Sequence, residues 1–439
     1  MTSKSRCVPG NRQASVYGSF AGDFKSDRLI DLCEPGEGVQ TGPFGSQLHQ
    51  EDYVSAGIPI ITVEHLGENR ILHSNLPGVS DADRARLSRY ALRRGDIVFS
   101  RVGSVDRRAL VWEDEDGWLF SGRCLRIRPN QSRIDSRYLS YFFGLPGFKE
   151  HIRAIAVGAT MPSLNTQLLS NVPIYYPPLS EQHAVAHILG TLDDKIELNR
   201  RMNETLEERA RALFKSWFID FDPVYAKAEG CDPGLPADIA ALFPDSFENS
   251  ELGEIPKGWT ARKVGELLEL VYGKALKESD RRSGTVAVYG SNGQIGWHDE
   301  KLETGPGIIV GRKGNPGIVT WAPRAFYAID TTFYVVPKPS CPSLYFLFFA
   351  LQDIDLPSMG ADSAVPGLNR NLAYLSAVSL PPLAVLKRFD QSVGVLFDRM
   401  NQTQCESRTL TALRDTLLPR LLSGELRVDV AGQLVEVNL

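Results

Sequence analysis

Two histidines, His183 and His187, have the spacing in this chain that most resembles a metal-binding pair. Four residues apart on a predicted helix, they place two imidazoles on one face, as a catalytic zinc site requires. Such a site also needs a glutamate directly after the first histidine, but Ala184 stands there, and it needs a third ligand. The pair therefore predicts two surface histidines, and no metal is expected in this chain.

Two other short strings could bind a methyl donor or a nucleotide. Asp222-Pro-Val-Tyr225 is similar to the Asp-Pro-Pro-Tyr motif of amino-methyltransferases, but its third residue differs and no glycine-rich strand–turn–helix precedes it. Gly311 to Gly317 suggests a phosphate loop, yet it lacks the Lys-Ser/Thr pair that contacts phosphate and Mg²⁺. Carboxylates are dispersed, without a nuclease-like cluster. These strings predict turns, and they favour a binding protein over an enzyme.

Charge is distributed unevenly along the 439 residues, although the net charge is only −5. Residues 84–137 include 13 Arg and 7 acids, a net of +6, and residues 257–345 include 12 Lys or Arg and 8 acids, a net of +4. Residues 221–254 include one Lys and 8 acids, a net of −7. Two separated basic regions suit a polyanion better than the net charge suggests, although arginine-rich stretches are equally common on solvated surfaces.

The apolar and cysteine patterns indicate a cellular compartment. The longest apolar run, Leu344–Leu351, is far shorter than the ~20 residues that span a bilayer. The polar N-terminal segment has no hydrophobic region for secretion, and the six cysteines form no CxxC pair. These patterns predict a cytoplasmic protein with neither a disulfide framework nor a membrane partner.

The chain contains one internal repeat. Residues 162–214 align without a gap with residues 366–418, at a constant offset of 204. Upstream of these segments the copies match more loosely, in pattern rather than identity. The matched positions are Ile97–Arg101 with Ile308–Arg312, Gly103 with Gly314, Trp112 with Trp321, and Tyr138–Phe142 with Tyr345–Phe349. A repeated chain predicts two similar units with diverged loops, which suits a ligand with two related halves, such as double-stranded DNA.

Each copy ends in Pro-Pro-Leu followed by apolar residues spaced alternately four and three apart, the pattern of a coiled-coil seam. The seam residues are Val185, Leu189, Leu192, Ile196, Leu206 and Leu213 in the first helix, and Val393, Leu396, Met400, Leu410 and Leu417 in the second. Both seams become polar at matching positions, Asn199 and Asn203 against Thr403 and Ser407. We expect the helices to pair antiparallel. The alternative is that each packs only on its own globular unit.

The predicted fold is α+β, with two globular mixed α/β domains in a pseudo-two-fold arrangement, separated by two long antiparallel coiled-coil helices. Short β-branched segments separated by Gly and Asp predict the strands. They are Ile58–Val63, Asp96–Ser100, Ala109–Trp112 and Cys124–Arg128, and Tyr138–Ile152 predicts one helix. Pro419 is expected to break the second long helix, leaving Leu421 outside it. The predicted segments are 1–26 (N-terminal), 27–177 (first domain), 178–220 (first long helix), 221–255 (acidic linker), 256–381 (second domain), 382–425 (second long helix) and 426–439 (tail).

Several segments, in this order, resemble the specificity subunits of type I restriction–modification systems. They are Gly95–Ser104, Met161–Asn165, Val172–Gln182, Ile188–Asn199, Gly253–Trp259, Tyr289–Gly296 and Leu417–Leu426. The resemblance covers nearly the whole chain from Asp27 onward. One departure follows Pro382-Leu383, where Ala-Val-Leu-Lys387 replaces a Glu-Gln pair like Glu181-Gln182, so the second docking helix is less typical.

The resemblance implies two target-recognition domains that each read a few base pairs of DNA, with a non-specific spacer between the half-sites. It implies no catalytic activity and no cofactor in this chain. The implied partners are double-stranded DNA, two modification subunits that methylate adenine with S-adenosylmethionine, and restriction subunits that use ATP and Mg²⁺.

DNA contacts are expected from basic and amide side chains near the predicted turns. The candidates are Ser46, Gln47, Arg101, Arg107 and Arg108 in the first unit, and Asn292, Gln294, Arg312 and Lys313 in the second. Arg101 and Arg312 are the strongest, because the repeat places both after the same strand. For each candidate the alternative is a surface residue without a role. For the whole chain the alternatives are an unrecognised methyltransferase or nuclease, and a scaffold that joins partners through its helices.

Overall fold

The computed structural model describes residues 12–43, 47–54, 56–158, 160–360 and 367–436. The chain forms two compact units. Unit 1 consists of Met1–Leu198 with Glu406–Leu439, and unit 2 of Asn199–Cys405. The two long helices, Leu179–Phe218 and Leu383–Leu422, each contribute one part to each unit.

The described residues of unit 1 form four small sheets around one main apolar core. A four-stranded antiparallel sheet has the order Val39–Thr41, Cys124–Ile127, Ile97–Ser100, Arg108–Leu110. The others are Gly78–Val79, Ile58–Ile61 and Leu119–Phe120; the hairpin Arg12–Ser15 with Gly18–Ala21; and the pair Lys25–Arg28 with Pro173–Tyr176. Its short helices are Asp81–Arg86, Ser136–Phe142, Pro146–Ile155, Thr166–Ser170 and Val428–Glu436. Three predicted strands of this unit are confirmed with shorter bounds, and the fourth, predicted over Ala109–Trp112, is found at Arg108–Leu110.

Unit 2 repeats this topology sheet by sheet. Its four-stranded antiparallel sheet has the order Leu268–Tyr272, Thr332–Pro337, Gly307–Gly311, Val319–Ala322. The others are Gly293–His298, Val286–Gly290 and Phe326–Ala328; the hairpin Phe247–Ser250 with Gly253–Pro256; and the pair Thr260–Lys263 with Ala377–Leu380. Its short helices are Asp222–Ala228, Ala237–Ala240, Val264–Leu267, Leu344–Asp353 and Arg370–Leu375. In both units the three-stranded sheet has one antiparallel and one parallel neighbour pair.

The repeated asparagines show why the copies keep the same residues at one place. The Asn165 side chain accepts a hydrogen bond from the Leu168 amide and caps the helix that follows. Asn369 caps its own helix in the same way, through the Leu372 amide. An N-cap side chain satisfies a helix amide that otherwise has no partner, so the position favours Asn, Asp or Ser.

The matching of Trp112 with Trp321 is corrected by the strand register. Ile97 pairs with Leu110, and its counterpart Ile308 pairs with Trp321. Trp321 therefore occupies the place of Leu110, two residues before the place of Trp112. Because side chains alternate along a strand, a shift of two keeps both on the same face, which is why the sequence pattern does not reveal it.

Two predicted boundaries are also corrected. The expected acidic linker, 221–255, is folded: it contains two short helices and a hairpin, and Val224, Ile239, Phe243 and Ile255 are buried in the core of unit 2. Likewise, the described part of the expected N-terminal segment forms the matching hairpin of unit 1, with Phe20 and Phe24 in its core. Short hairpins of mostly polar residues carry little sequence signal, although their few aromatic side chains anchor them.

The long helices pair antiparallel within each unit, and the seam residues lie in the apolar cores or partly buried beside them. In unit 1, Asp193 pairs with Arg414 at 2.8 Å and Lys195 with Glu406 at 3.3 Å. In unit 2, the predicted polar positions meet: the Asn199 side chain reaches the Thr403 carbonyl at 3.5 Å. The helices also pack on the globular parts of both units, so the pairing is confirmed and packing on the globular parts alone is not.

Two expectations about helix breaks are wrong. Pro419 lies inside the second long helix, and Leu421 is buried, 2% exposed, in the core of unit 1. Because the proline lies in the last turn, it removes one hydrogen bond, and burial of Leu421 and Leu422 offsets that loss. The single helix expected over 138–152 is instead two, Ser136–Phe142 and Pro146–Ile155, with the proline starting the second.

We expect Gly42→Ala and Gly273→Ala to destabilise their units by ~1–3 kcal/mol each, because the new methyl group has no space. A Cβ would lie 2.3 Å from the Ser121 carbonyl oxygen at Gly42 and 2.1 Å from the Ile329 carbonyl oxygen at Gly273. Urea unfolding measures the change. Gly432→Ala, where nothing lies within 4 Å of the added atom, is the control and should leave stability equal or slightly higher. Equal midpoints for all three variants would contradict the close approach.

Candidate nucleic-acid interface

The basic turns of each unit come together at one end of its four-stranded sheet, which we call the loop end. In unit 1, Ser100 pairs with Cys124 and Leu125 with Thr41, so the chain leaves or enters these strands at the same end. The loop end of unit 1 consists of Gly42, the turn 101–107 and residues 122–123. In unit 2 it consists of Gly273–Lys274, the turn 312–318 and residues 329–331, by the same register.

Arg101 and Arg312 occupy equivalent places at the two loop ends. The Arg101 carbonyl accepts from the Leu164 amide at 2.8 Å, and the Arg312 carbonyl accepts from the Leu368 amide at 2.9 Å. Leu164 and Leu368 are themselves repeat partners. The sequence-based pairing of these two arginines therefore matches their backbone environments.

In unit 1, three arginines surround the turn that contains Gly103. Arg101 donates to the Gly122 carbonyl at 3.0 Å, and Arg107 donates to the Val63 carbonyl at 3.2 Å. Both side chains are half-buried, so their aliphatic parts are held while part of each remains accessible. Arg123 is exposed at the same end, and its carbonyl accepts from the Arg101 amide.

Arg108 does not lie on this surface. Its side chain is 1% exposed, its Nε donates to the Ser140 carbonyl at 2.6 Å, and its Nη1 pairs with Glu68 at 2.5 Å. A guanidinium buried and bonded in this way cannot reach a phosphate without unfolding its surroundings. We therefore correct the expectation that Arg108 contacts DNA. The alternation along Arg108–Leu110 directs it inward, next to the outward Arg107.

Gln47 also lies in a different environment from Arg101. Its side-chain oxygen accepts from the Tyr90 hydroxyl at 2.7 Å, and its backbone carbonyl accepts from Arg86 at 2.7 Å. Ser46, the other candidate in this loop, lies outside the described residues. Gln47 thus belongs to a second basic patch with Arg86, while Arg89 lies over the Tyr90 ring at 4.5 Å.

In unit 2, two arginines flank an exposed tyrosine at the loop end. The Arg312 guanidinium lies 5.0 Å from the centre of the Tyr272 ring, and that of Arg370 lies 5.2 Å from it. The tyrosine is 50% exposed. Two cations beside one ring are attracted by its π electrons but repel each other, so an anion beside them gains from both. This arrangement suits a phosphate or a stacked base.

The amide candidates of unit 2 lie at the neighbouring hairpin turn. Asn292 accepts a hydrogen bond from the Asn315 side chain, which brings the turn after Val286–Gly290 against the turn that contains Gly314. Asn292, Lys313 and Asn315 are exposed there. Gln294 is exposed two residues after Asn292, where its side chain donates to the Gly296 carbonyl at 3.4 Å.

Sequence reasoning missed several loop-end residues: Arg123, Tyr272, Lys274, Asn315 and Arg370. For two of them, Tyr272 and Arg370, the sequence contains a signal that could have identified the position. Tyr272 precedes Gly273, the counterpart of Gly42, and Arg370 follows the repeated Asn369. The repeat could therefore have pointed to both positions, but only the fold brings Arg370 to Tyr272, which is 98 residues earlier in the chain (370 − 272).

Catalytic chemistry finds little support in the described part of the chain. No group of three or more His, Cys, Asp or Glu there is placed to hold a metal ion. Burial raises the pKa of the thiols Cys33, Cys124 and Cys341 to about 12, so they are poor nucleophiles. His183 lies 3.8 Å from Asp135. None of the described helices is long and apolar enough to cross a bilayer.

The chain therefore consists of a duplicated α+β unit with a basic loop end, and each long helix contributes one part to each unit. Residues 23–208 match the family model described as "Type I restriction modification DNA specificity domain". The chain is 26% identical to the HindI specificity subunit of Haemophilus influenzae, over 82% of this chain and 92% of the relative. It is 28% identical to the MjaIX specificity subunit of Methanocaldococcus jannaschii, over 67% and 70%.

A solved structure has the same fold. The type I restriction–modification S subunit from M. genitalium superimposes with a TM-score of 0.56 at 19% identity, covering 91% of this chain and 96% of that one. The chain is thus similar to specificity subunits of type I restriction–modification systems, in sequence over most of its length and in fold.

Proposed function

We propose that this chain reads a bipartite DNA sequence, with one half-site at the loop end of each unit and a non-specific spacer between them. The observation that carries the proposal is the pair of loop ends, which share a backbone scaffold but present different side chains. Unit 1 presents Arg101, Arg107 and Arg123, whereas unit 2 presents Tyr272 between Arg312 and Arg370. Unlike side chains on a like scaffold favour two unlike half-sites.

The contacts divide by the chemistry of the side chains. Arginines suit phosphates and the O6 and N7 atoms of guanine, whereas asparagines such as Asn292 and Asn315 suit the N6 and N7 atoms of adenine. Lys274 and Lys313, as exposed point charges, suit phosphates. We infer that the sequence preference of unit 2 comes mainly from the turn residues Asn292 and Asn315. The sequence preference of unit 1 comes mainly from its arginines.

The partners in this proposal are two modification subunits and, in a complete system, restriction subunits, all working in the cytoplasm. In that scheme the modification subunits bring S-adenosylmethionine and methylate adenine, and the restriction subunits bring ATP and Mg²⁺. The long helices offer exposed faces for docking beside their buried seam: Leu198 and Val395 are 55% and 69% exposed.

Methylation mapping tests the proposal. A host that carries this chain with its modification subunit should acquire adenine methylation at one bipartite motif with two unlike halves. Replacing residues 247–381, which include the loop end of unit 2, with those of a relative should change one half of the motif and leave the other half unchanged. A continuous motif, or a change in both halves, would contradict the division of recognition between the units.

A further inference from the structure

Each unit has a cleft at the same place, where the last strand of the four-stranded sheet meets the next helix and a long helix. The cleft has a volume of about 450 Å³ in unit 1 and about 270 Å³ in unit 2. Equivalent positions line both clefts, by the strand register and by the repeat of the helices. They are Arg108 with Val319, Tyr141 with Phe348, and Asp193 with Phe397.

The unit 1 cleft holds a guanidinium of its own chain. Arg108 projects into it, fully buried, with hydrogen bonds to the Ser140 carbonyl and to Glu68. Lys149 and Arg414 add two more cations, which pair with Glu68 and with Asp193. The basic groups in the cleft of unit 1 therefore come from this chain itself.

The described residues that line the unit 2 cleft leave space and include acceptors, but none of them is a cation. Val319 stands where unit 1 has Arg108. Three aromatic rings form the wall: the Trp321 ring centre lies 5.6 Å from that of Phe348 and 5.0 Å from that of Phe397. Gln352 lines this cleft, and its side-chain oxygen is buried and has no hydrogen-bond donor among the described residues. The Glu207 carboxylate lies at the rim, 41% exposed, where it pairs with the exposed Arg211 at 3.2 Å.

These features select one kind of occupant. A buried amide oxygen without a donor costs about 1–3 kcal/mol, so a ligand that brings an N–H group to it gains that amount back. Aromatic rings attract a cation, and the planar guanidinium stacks on them while its edge donates hydrogen bonds, which an ammonium group does less well. Glu207 adds a carboxylate at the entrance, which an incoming guanidinium can share with Arg211.

We propose that the cleft beside Trp321 binds an arginine side chain of a protein that docks on unit 2, in the place that Arg108 takes in unit 1. Unit 1 thus fills its cleft with an arginine of its own chain, and unit 2 takes the arginine from another protein. The arginine site stands on this geometry alone, and only the identification of the docking protein as the modification subunit rests on the proposed function.

Fluorine NMR of the full chain labelled with fluorotryptophan tests the site directly, since the chain has six tryptophans. Titration with N-acetyl-arginine amide should shift the Trp321 resonance, assigned through Trp321→Phe, saturably and more than N-acetyl-lysine amide does. Trp112, which already has Arg70 and Arg137 over its ring, is the matched control and should not respond. No shift at Trp321, or equal shifts at Trp112, would overturn the proposal.

Val319→Arg places the missing guanidinium in cis and should weaken binding of the arginine amide, and of the purified modification subunit, by roughly tenfold. DNA binding by the isolated chain should not change, and this separates failure of the arginine site from failure of DNA recognition. If Val319→Arg alters the tryptophan spectrum as a whole, Gln352→Leu serves instead, since it removes the acceptor without adding charge. Undiminished arginine binding in a folded variant of either kind overturns the proposal.

Discussion

Replacing both Arg101 and Arg312 with glutamine is expected to lower DNA affinity by about 100-fold, and each single replacement by about 10-fold. A base-edge contact of an arginine contributes ~1–3 kcal/mol, and a phosphate contact releases counterions on binding. The two residues lie in different units and share no partner among the described contacts, so their effects should add as free energies. Fluorescence anisotropy with a duplex carrying the mapped motif measures the affinity.

The salt dependence tells which kind of contact is lost. If either arginine binds a phosphate, its replacement makes the negative slope of log K against log salt shallower by ~0.9. If the arginine contacts a base instead, its replacement leaves that slope unchanged and relaxes the sequence preference. Arg28→Gln and Arg262→Gln are the matched controls, because both are exposed arginines already paired with carboxylates, Asp31 and Glu266, on the two-stranded sheets. If the control variants lose as much DNA affinity, the effect of Arg101 and Arg312 comes from net charge alone.

The long-range architecture could be predicted because its signals are periodic. Apolar residues recur with helical spacing on each long helix, such as Leu189 and Leu192 on the first and Leu417 on the second. The matched polar positions Asn199 and Thr403 meet in the fold. Periodicity of this kind reports which face of a helix is buried, whatever covers it. The helix pairing and the equivalence of the two units were therefore accessible without coordinates.

The proposed recognition surface was harder to predict from the sequence, because it depends on which side of a strand a cation faces and on contacts far apart in sequence. Arg107 and Arg108 are neighbours in the chain, yet one reaches the loop end and the other is buried against Glu68. Composition treats them alike. Arg370 acquires its place through the ring of Tyr272, and no local pattern encodes a contact of that kind.

The ion pair between Arg414 and Asp193 gives the largest expected effect on stability. Asp193 has its side chain 8% exposed, and it accepts from Arg414 at 2.8 Å and from the Tyr141 hydroxyl at 2.6 Å. Burial lowers the pKa of Arg414, but the carboxylates of Asp193 and Asp415 outweigh it and hold that pKa above its ordinary value. The pair joins the two long helices inside unit 1, so it fixes their register there.

Arg414→Leu should destabilise unit 1 by ~3–5 kcal/mol, because it leaves the buried Asp193 carboxylate without a cation. Hydrogen exchange of unit 1 amides measures this separately from unit 2. Arg420→Leu, on the same helix, removes an exposed pair with Glu425 and should cost less than ~1 kcal/mol. Adding Asp193→Leu to Arg414→Leu should recover most of the loss, since unit 2 already has an apolar residue, Phe397, at that place. If the double variant is not more stable than Arg414→Leu, the ion pair contributes stability that two apolar residues at these positions do not replace.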